Sequence, residues 1–111
     1  MIDIKVYINK KEATLASAIS IADADEVQIE LTSTDGNHFY SKEIDILLED
    51  YRVPYITSED GLSVKTLANN LFRESFGYSN LRIFIDDEPV GELVFNVSTN
   101  EKKKKNIKDM M

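Results

Sequence analysis

From Asn80 to Ser98 the chain reads NLRIFIDDEPVGELVFNVS, and this stretch constrains the fold more than any other. Leu81, Ile83 and Ile85 alternate with Arg82 and Asp86, and Leu93, Phe95 and Val97 alternate with Glu92, Asn96 and Ser98. A period of two is that of a half-buried strand, and the polar residues between the two runs make a turn. To bring the two apolar faces together in an antiparallel pair, odd-numbered positions must oppose odd-numbered ones. A three-residue loop would put Pro89 where a left-handed residue is wanted, and proline cannot take positive φ. A five-residue loop from Asp87 to Gly91 avoids this. It sets Ile85 against Leu93, Ile83 against Phe95 and Leu81 against Val97, with Phe84 against Val94 on the other face.

The rest of the chain supports a β-rich reading. Ile2, Ile4, Val6 and Ile8 alternate with polar residues, and Asn9-Lys10-Lys11 reads as a turn. Glu12 to Ser20 reads as one short, twisted strand, followed by a polar break over residues 22–25. Val27, Ile29 and Leu31 form a further strand. Asp35-Gly36 then favours a type I′ hairpin turn, which would oppose Val27 to Ile44, Leu31 to Tyr40 and, awkwardly, Ile29 to Lys42. Ile44, Ile46 and Leu48 extend the returning strand. Tyr51 to Thr57 reads as another, restricted by Pro54 to an edge or bulge. At Ser63 the period changes: Val64, Leu67, Ala68, Leu71 and Phe72 have helical spacing. Ser63 fits an N-cap and Gly77 a C-terminal stop, so a helix is expected to cross from one sheet to the other.

Length and composition suit one domain. The chain has 111 residues, 42% of them apolar, enough for a single core. No cysteine is present, which removes disulfides and thiolate metal sites and favours a cytoplasmic setting. No apolar run approaches the ~20 residues of a membrane span, and MIDIKVYINKK lacks the basic-then-apolar order of a signal peptide. The expectation is a soluble, cytoplasmic protein without membrane contact. Charge is unevenly placed. Residues 1–100 carry 18 acidic and 8 basic side chains, whereas residues 101–111 carry 2 acidic and 5 basic. An acidic body repels a nucleic-acid backbone, so DNA contact is expected only through a local patch.

Motifs that carry chemistry are scarce. His38 is the only histidine and reads as an exposed strand residue, because acid–base work needs a partner and none lies nearby in sequence. No nucleophilic triad can be composed. The carboxylates Asp23, Asp25 and Glu26, Glu49 and Asp50, Glu59 and Asp60, and Asp86 to Glu88 fall in turns. Sandwich loops can gather such groups around calcium, but no calcium-loop spacing occurs. Gly36, Gly61, Gly77 and Gly91 are isolated, so no phosphate-binding loop is present. Tyr51, Tyr55, Phe84 and Val94 form a candidate partner surface if the second sheet face is uncovered. Lys102, Lys103, Lys104 and Lys105 are candidates for contact with phosphate or an acidic partner, although such runs are usually simply solvated. No catalytic, cofactor-binding or metal-binding residue is assigned.

The segment LRIFIDDEPVGELVFNVSTNEKKKKNIKDMM is a β-hairpin whose last strand ends in VFNVST, followed by lysines and a Met-containing helical start. It resembles the amino-terminal β-domain of McrC-like proteins of McrBC-type modified-cytosine restriction and related anti-phage defence systems. There such a strand leads through a helix to a carboxy-terminal PD-(D/E)xK nuclease. The likeness covers about thirty residues and no catalytic motif. Glu92-Leu93-Val94 and Glu59-Asp60-Gly61 both lack the lysine of ExK, so no cleavage role transfers to this chain. The resemblance implies a domain that helps a larger protein recognise a partner or target beside an McrB-like NTPase.

The expectation is thus an all-β, mainly antiparallel β-sandwich or partly open barrel of about seven strands with one crossover helix. Residues 1–99 would form the interaction domain. Residues 100–111 would be the basic start of a connecting helix or a disordered tail, because Ile107, Met110 and Met111 begin an apolar face that is cut short, as in a fragment. Functionally this is a non-catalytic recognition or adaptor domain with a protein partner. The alternative is a ligand-binding β-sandwich that uses acidic loops for calcium or carbohydrate.

Overall fold

The structure, a computed structural model, describes residues 2–67, 71–73 and 75–98. They form ten strands: β1 (Ile2–Ile8), β2 (Lys11–Glu12), β3 (Ile19–Ala22), β4 (Val27–Ser33), β5 (Ile44–Leu48), β6 (Tyr51–Arg52), β7 (Tyr55–Thr57), β8 (Ser63–Thr66), β9 (Gly77–Ile85) and β10 (Glu88–Ser98). Two five-stranded sheets result, in the orders β2-β1-β4-β8-β7 and β3-β10-β9-β5-β6. Every pairing is antiparallel except β3 with β10. The sheets do not close into a barrel; they form a sandwich whose edge strands β2, β7, β3 and β6 remain distinct.

Alternation decides which side chains meet. Val6, Val27, Ile29, Leu31 and Val64 point inward from the first sheet, and Ile46, Leu81, Ile83, Phe95 and Val97 from the second. Each buried side chain of this size stabilises the fold by about 1.5–3 kcal/mol. Connections add Phe39, Val53 and Phe72 to the same core. Phe72 lies 4.7 Å from Phe95, centroid to centroid, with the rings tilted by 43°.

The central hairpin has a different register from the one expected. Asp86 and Asp87 alone make the turn, both with positive φ (52° and 66°), the requirement of a type I′ loop. Aspartate tolerates this conformation better than most residues. Glu88 then faces Ile85 and Pro89 faces Phe84, which opposes odd to even positions. A bulge between Pro89 and Gly91 inserts one residue and restores the parity. From there Gly91 faces Ile83, Leu93 faces Leu81, Phe95 faces Ser79 and Val97 faces Gly77. The parity requirement is met, but the partner of Leu93 lies four residues from the expected Ile85. Pro89 occupies a pair that does not exchange ladder hydrogen bonds, so its missing N–H costs nothing there.

Asp35-Gly36 is not a hairpin turn. β4 pairs with β1, placing Val27 against Ile8, Ile29 against Val6 and Leu31 against Ile4, and with β8 on its other side. β5 belongs to the second sheet, where Ile44, Ile46 and Leu48 face Ile85, Ile83 and Leu81. The unfavourable apposition of Ile29 and Lys42 is thereby avoided. Residues 34–43 instead carry the chain between sheets and bury Phe39. The single strand expected over residues 12–20 is two, β2 and β3, in different sheets. Tyr51 to Thr57 is likewise split, because Val53 and Pro54 turn the corner between β6 and β7.

The crossover helix is absent among the described residues. Ser63 to Thr66 is strand β8 instead, because Val64 and Thr66 are β-branched and face inward while Ser63 and Lys65 alternate with them. Thr66 is buried, and its Oγ1 accepts the Ile29 N–H at 3.0 Å where the backbone ladder ends. Leu67, placed by the helical spacing on an inner face, is 57% exposed. The connection does pass from the first sheet to the second and inserts Phe72 between them. Ala68 and the tail expected to begin a helix lie outside the described residues.

Candidate functional site

The four residues expected to share a surface are divided by the fold. Tyr51 is exposed on edge strand β6 of the second sheet. Tyr55 is on β7 of the first sheet, where it faces Thr66 and packs against the core. Phe84 and Val94 do share the outer face of the second sheet, on neighbouring strands but not opposed: Phe84 faces Asp45 and Pro89, and Val94 faces Asn80. Lys102, Lys103, Lys104 and Lys105 lie outside the described residues.

That outer face contains more than the sequence reading placed there. One row across β5, β9 and β10 is Leu47, Arg82 and Glu92; another pairs Tyr78 with Asn96. Tyr78 is 70% exposed, and Phe76, just before β9, is 74% exposed. Leu47, Phe84 and Val94 are half-buried. The Arg82 guanidinium carbon stands 5.8 Å from the centre of the Phe84 ring, and Arg52 pairs with Asp45 at 2.8 Å. Apolar and aromatic area interleaved with arginine is the composition of protein-binding patches. The signal was available, since Tyr78 continues the alternation of Asn80, Arg82 and Phe84, but β9 begins at Gly77, three residues before the expected start at Asn80.

A second feature is a cleft of about 390 Å³ at the end of the sandwich. Ile2, Phe39, Ile85 and Val90 supply apolar lining, and His38, Lys42 and Asp86 supply polar groups. The Asp86 carboxylate accepts the Glu43 N–H at 2.9 Å and stands 3.5 Å from Lys42 Nζ. The Glu43 N–H, with help from Lys42, holds its pKa below the ordinary carboxylate value. His38 is exposed, as expected, but sits in a loop rather than a strand. Its Nδ1 lies 2.7 Å from the Asp60 carbonyl. A carbonyl can only accept, so in this contact Nδ1 is the donor. Tyr40 lies parallel to His38, and its hydroxyl bonds the Ser58 and Glu59 carbonyls. Gly61 is the floor of this arrangement. Its φ is +71°, and a Cβ there would come within 2.8 Å of both rings.

Four of the turn carboxylates are occupied with the backbone. Asp25 accepts the Ala22 N–H, Glu49 the Asn80 N–H, Asp60 the Leu62 N–H and Asp86 the Glu43 N–H, at 2.8–3.1 Å. Asp60 also accepts the Ser58 hydroxyl, and that bond, followed by the Leu62 N–H, lowers its pKa. Among the described residues no three His, Asp or Glu side chains converge in a way that could hold a metal ion, and no helix is long and apolar enough to cross a membrane. No protein-family model matches this chain, and no curated protein matches it.

Proposed function

We propose that this chain is a recognition or adaptor domain without a catalytic centre of its own, and that the outer face of the second sheet binds a protein partner. The observation that supports this is the association of Tyr78, Phe84, Leu47 and Val94 with Arg82 on one uncovered face. Four of the turn carboxylates, Asp25, Glu49, Asp60 and Asp86, hold backbone N–H groups, which supports recognition over the calcium or carbohydrate reading. Together with the resemblance of residues 81–111 to McrC-like proteins, the reading becomes a domain of an anti-phage restriction protein in the cytoplasm. Its partner there is an McrB-like NTPase or the rest of a parent chain. Calorimetric titration of the protein with an McrB-like NTPase from the same cell tests it. Binding should weaken at least tenfold in the double variant Tyr78→Ala, Phe84→Ala, since aromatic anchors carry much of an interface's energy. Absence of binding, or equal binding by the variant, would overturn the reading.

A further inference from the structure

The side of the sandwich where the chain passes from β2 to β3 is incompletely paired. β2 covers only Tyr7 and Ile8 of β1, and the Ala13 N–H adds one bond to the Val6 carbonyl at 2.7 Å. In an antiparallel ladder every second residue directs its N–H and C=O to the same neighbour. The groups of Ile2 and Ile4 therefore point with those of Val6, away from β4, and no strand among the described residues pairs with them there. β3 likewise joins β10 only from Phe95 onward, and among the described residues no strand neighbours the edge of Glu88 to Val94 on that side. The two open edges lie close together. A Cβ on Gly91 would stand 2.4 Å from Ile4 Cδ1, so glycine is what lets the β10 backbone approach β1.

Beside the β1 edge runs a groove of about 560 Å³, with Asp3, Ile4 and Lys5 on one wall and Glu12, Ala13 and Leu15 on the other. Leu15 is exposed, and Ile2, Ile4 and Ala13 are only half-buried against the core. An added strand would satisfy unpaired backbone groups and cover these apolar side chains at once, the physical basis of β-strand addition. On the β10 side Pro89, the bulge and two glutamates are the usual means of blunting an edge. Between Ile2 and Lys5, β1 has neither proline nor a bulge, only the charges of Asp3 and Lys5. Asp3 and Glu12 outnumber Lys5 in the lining, and a second acidic copy of this chain (net −7) would meet repulsion there.

We propose that this groove receives an extended segment of a partner protein, added as a strand to β1 and alternating apolar residues with lysine or arginine. This surface is separate from the outer face of the second sheet and stands without it. The test is NMR titration of the full chain with a capped six-residue peptide alternating lysine and valine, against its glutamate–valine counterpart. The basic peptide should shift the Ile2 and Ile4 amides and slow their hydrogen exchange at least tenfold, and the acidic one should not. Asp3→Lys, at an exposed position, should weaken binding about fivefold or more with the fold intact. Ile4→Pro, which removes the N–H, should abolish it. Phe84→Ala should leave it unchanged, which separates this result from the outer-face reading. Equal shifts with both peptides, shifts confined to the outer face or to Glu92 and Val94, or strong protection of the Ile4 amide in the free protein would each overturn the proposal. Self-association through β1 would overturn it as well.

Discussion

The two sheets have similar inner faces and different outer ones. Outside the first sheet Lys5, Glu30 and Lys65 oppose one another across β1, β4 and β8, with Lys65 Nζ 3.6 Å from Glu30 Oε2, and the row ends at the exposed Ile56 of β7. The equivalent rows of the second sheet hold Leu47, Arg82 and Glu92, and then Asp45, Phe84 and Pro89. Burial drives both inner faces toward Val, Ile, Leu and Phe. Outside, water imposes no such uniformity, and alternating charge is the inexpensive solution. A sheet that keeps Tyr78, Leu47, Phe84 and Val94 outward departs from that solution, and the proposed binding surface rests on this departure.

The largest effect should come where the sheets are alike. Phe95→Ala in the second sheet should cost about 3–5 kcal/mol, and Ile29→Ala in the first about 2–5 kcal/mol, read from denaturant melts. Both side chains are fully buried. A loss under about 1 kcal/mol at either would show that the sheets do not share one core. Next is Thr66→Val, which keeps the shape but leaves the buried Ile29 N–H without its acceptor. It should cost about 1–3 kcal/mol, and a neutral result would mean that water reaches this end of the β4–β8 ladder.

Acid should weaken both sheets at a turn. Asp60 holds the β7–β8 turn and Asp86 ties the β9–β10 turn to Glu43 ahead of β5, and both have pKa values lowered from 3.8. Groups with depressed folded-state pKa contribute stability that is fully present above the unfolded value and is lost as pH falls through the folded one. Stability measured by urea melts should therefore fall below about pH 4. Asp60→Asn and Asp86→Asn should each flatten that fall; an unchanged profile in both variants would remove the turns as its source. The smallest effect separates the outer faces. Lys65→Ala should change stability by less than about 1 kcal/mol and partner binding not at all. Tyr78→Ala, equally mild in stability, should lower binding. If both reduce binding alike, the contrast between the faces has no functional meaning.

Local sequence carried the all-β class and the inward residues of β1, β4, β5, β9 and β10, because a side-chain period of two is a property of the strand itself. It also carried the parity of the central hairpin. The register was not legible, since two consecutive aspartates with positive φ and a bulge at Pro89 shift every partner while preserving parity. The candidate surface was half legible. Phe84 and Val94 follow from alternation, whereas Tyr51 and Tyr55 were grouped by nearness in sequence, and Val53-Pro54 sends them to different sheets. Val64, Leu67, Leu71 and Phe72 have helical spacing by number alone. Val64 lies in a strand beside Leu31, and Phe72 reaches the core from a connection.

By itself, then, the sequence determined which side chains turn inward, because burial acts on each residue through its own strand's alternation. Which strands became neighbours was decided only by the tertiary structure. Asp35-Gly36 has the chemistry of a hairpin turn, yet β4 pairs with β1 and β8, and β5 joins β9. A hairpin there would have opposed Ile29 to Lys42. The sandwich instead pairs Ile29 with Val6 and Ile46 with Ile83, burying all four. Pairing energy depends on what both partners bury together, and no single segment of the chain contains that information.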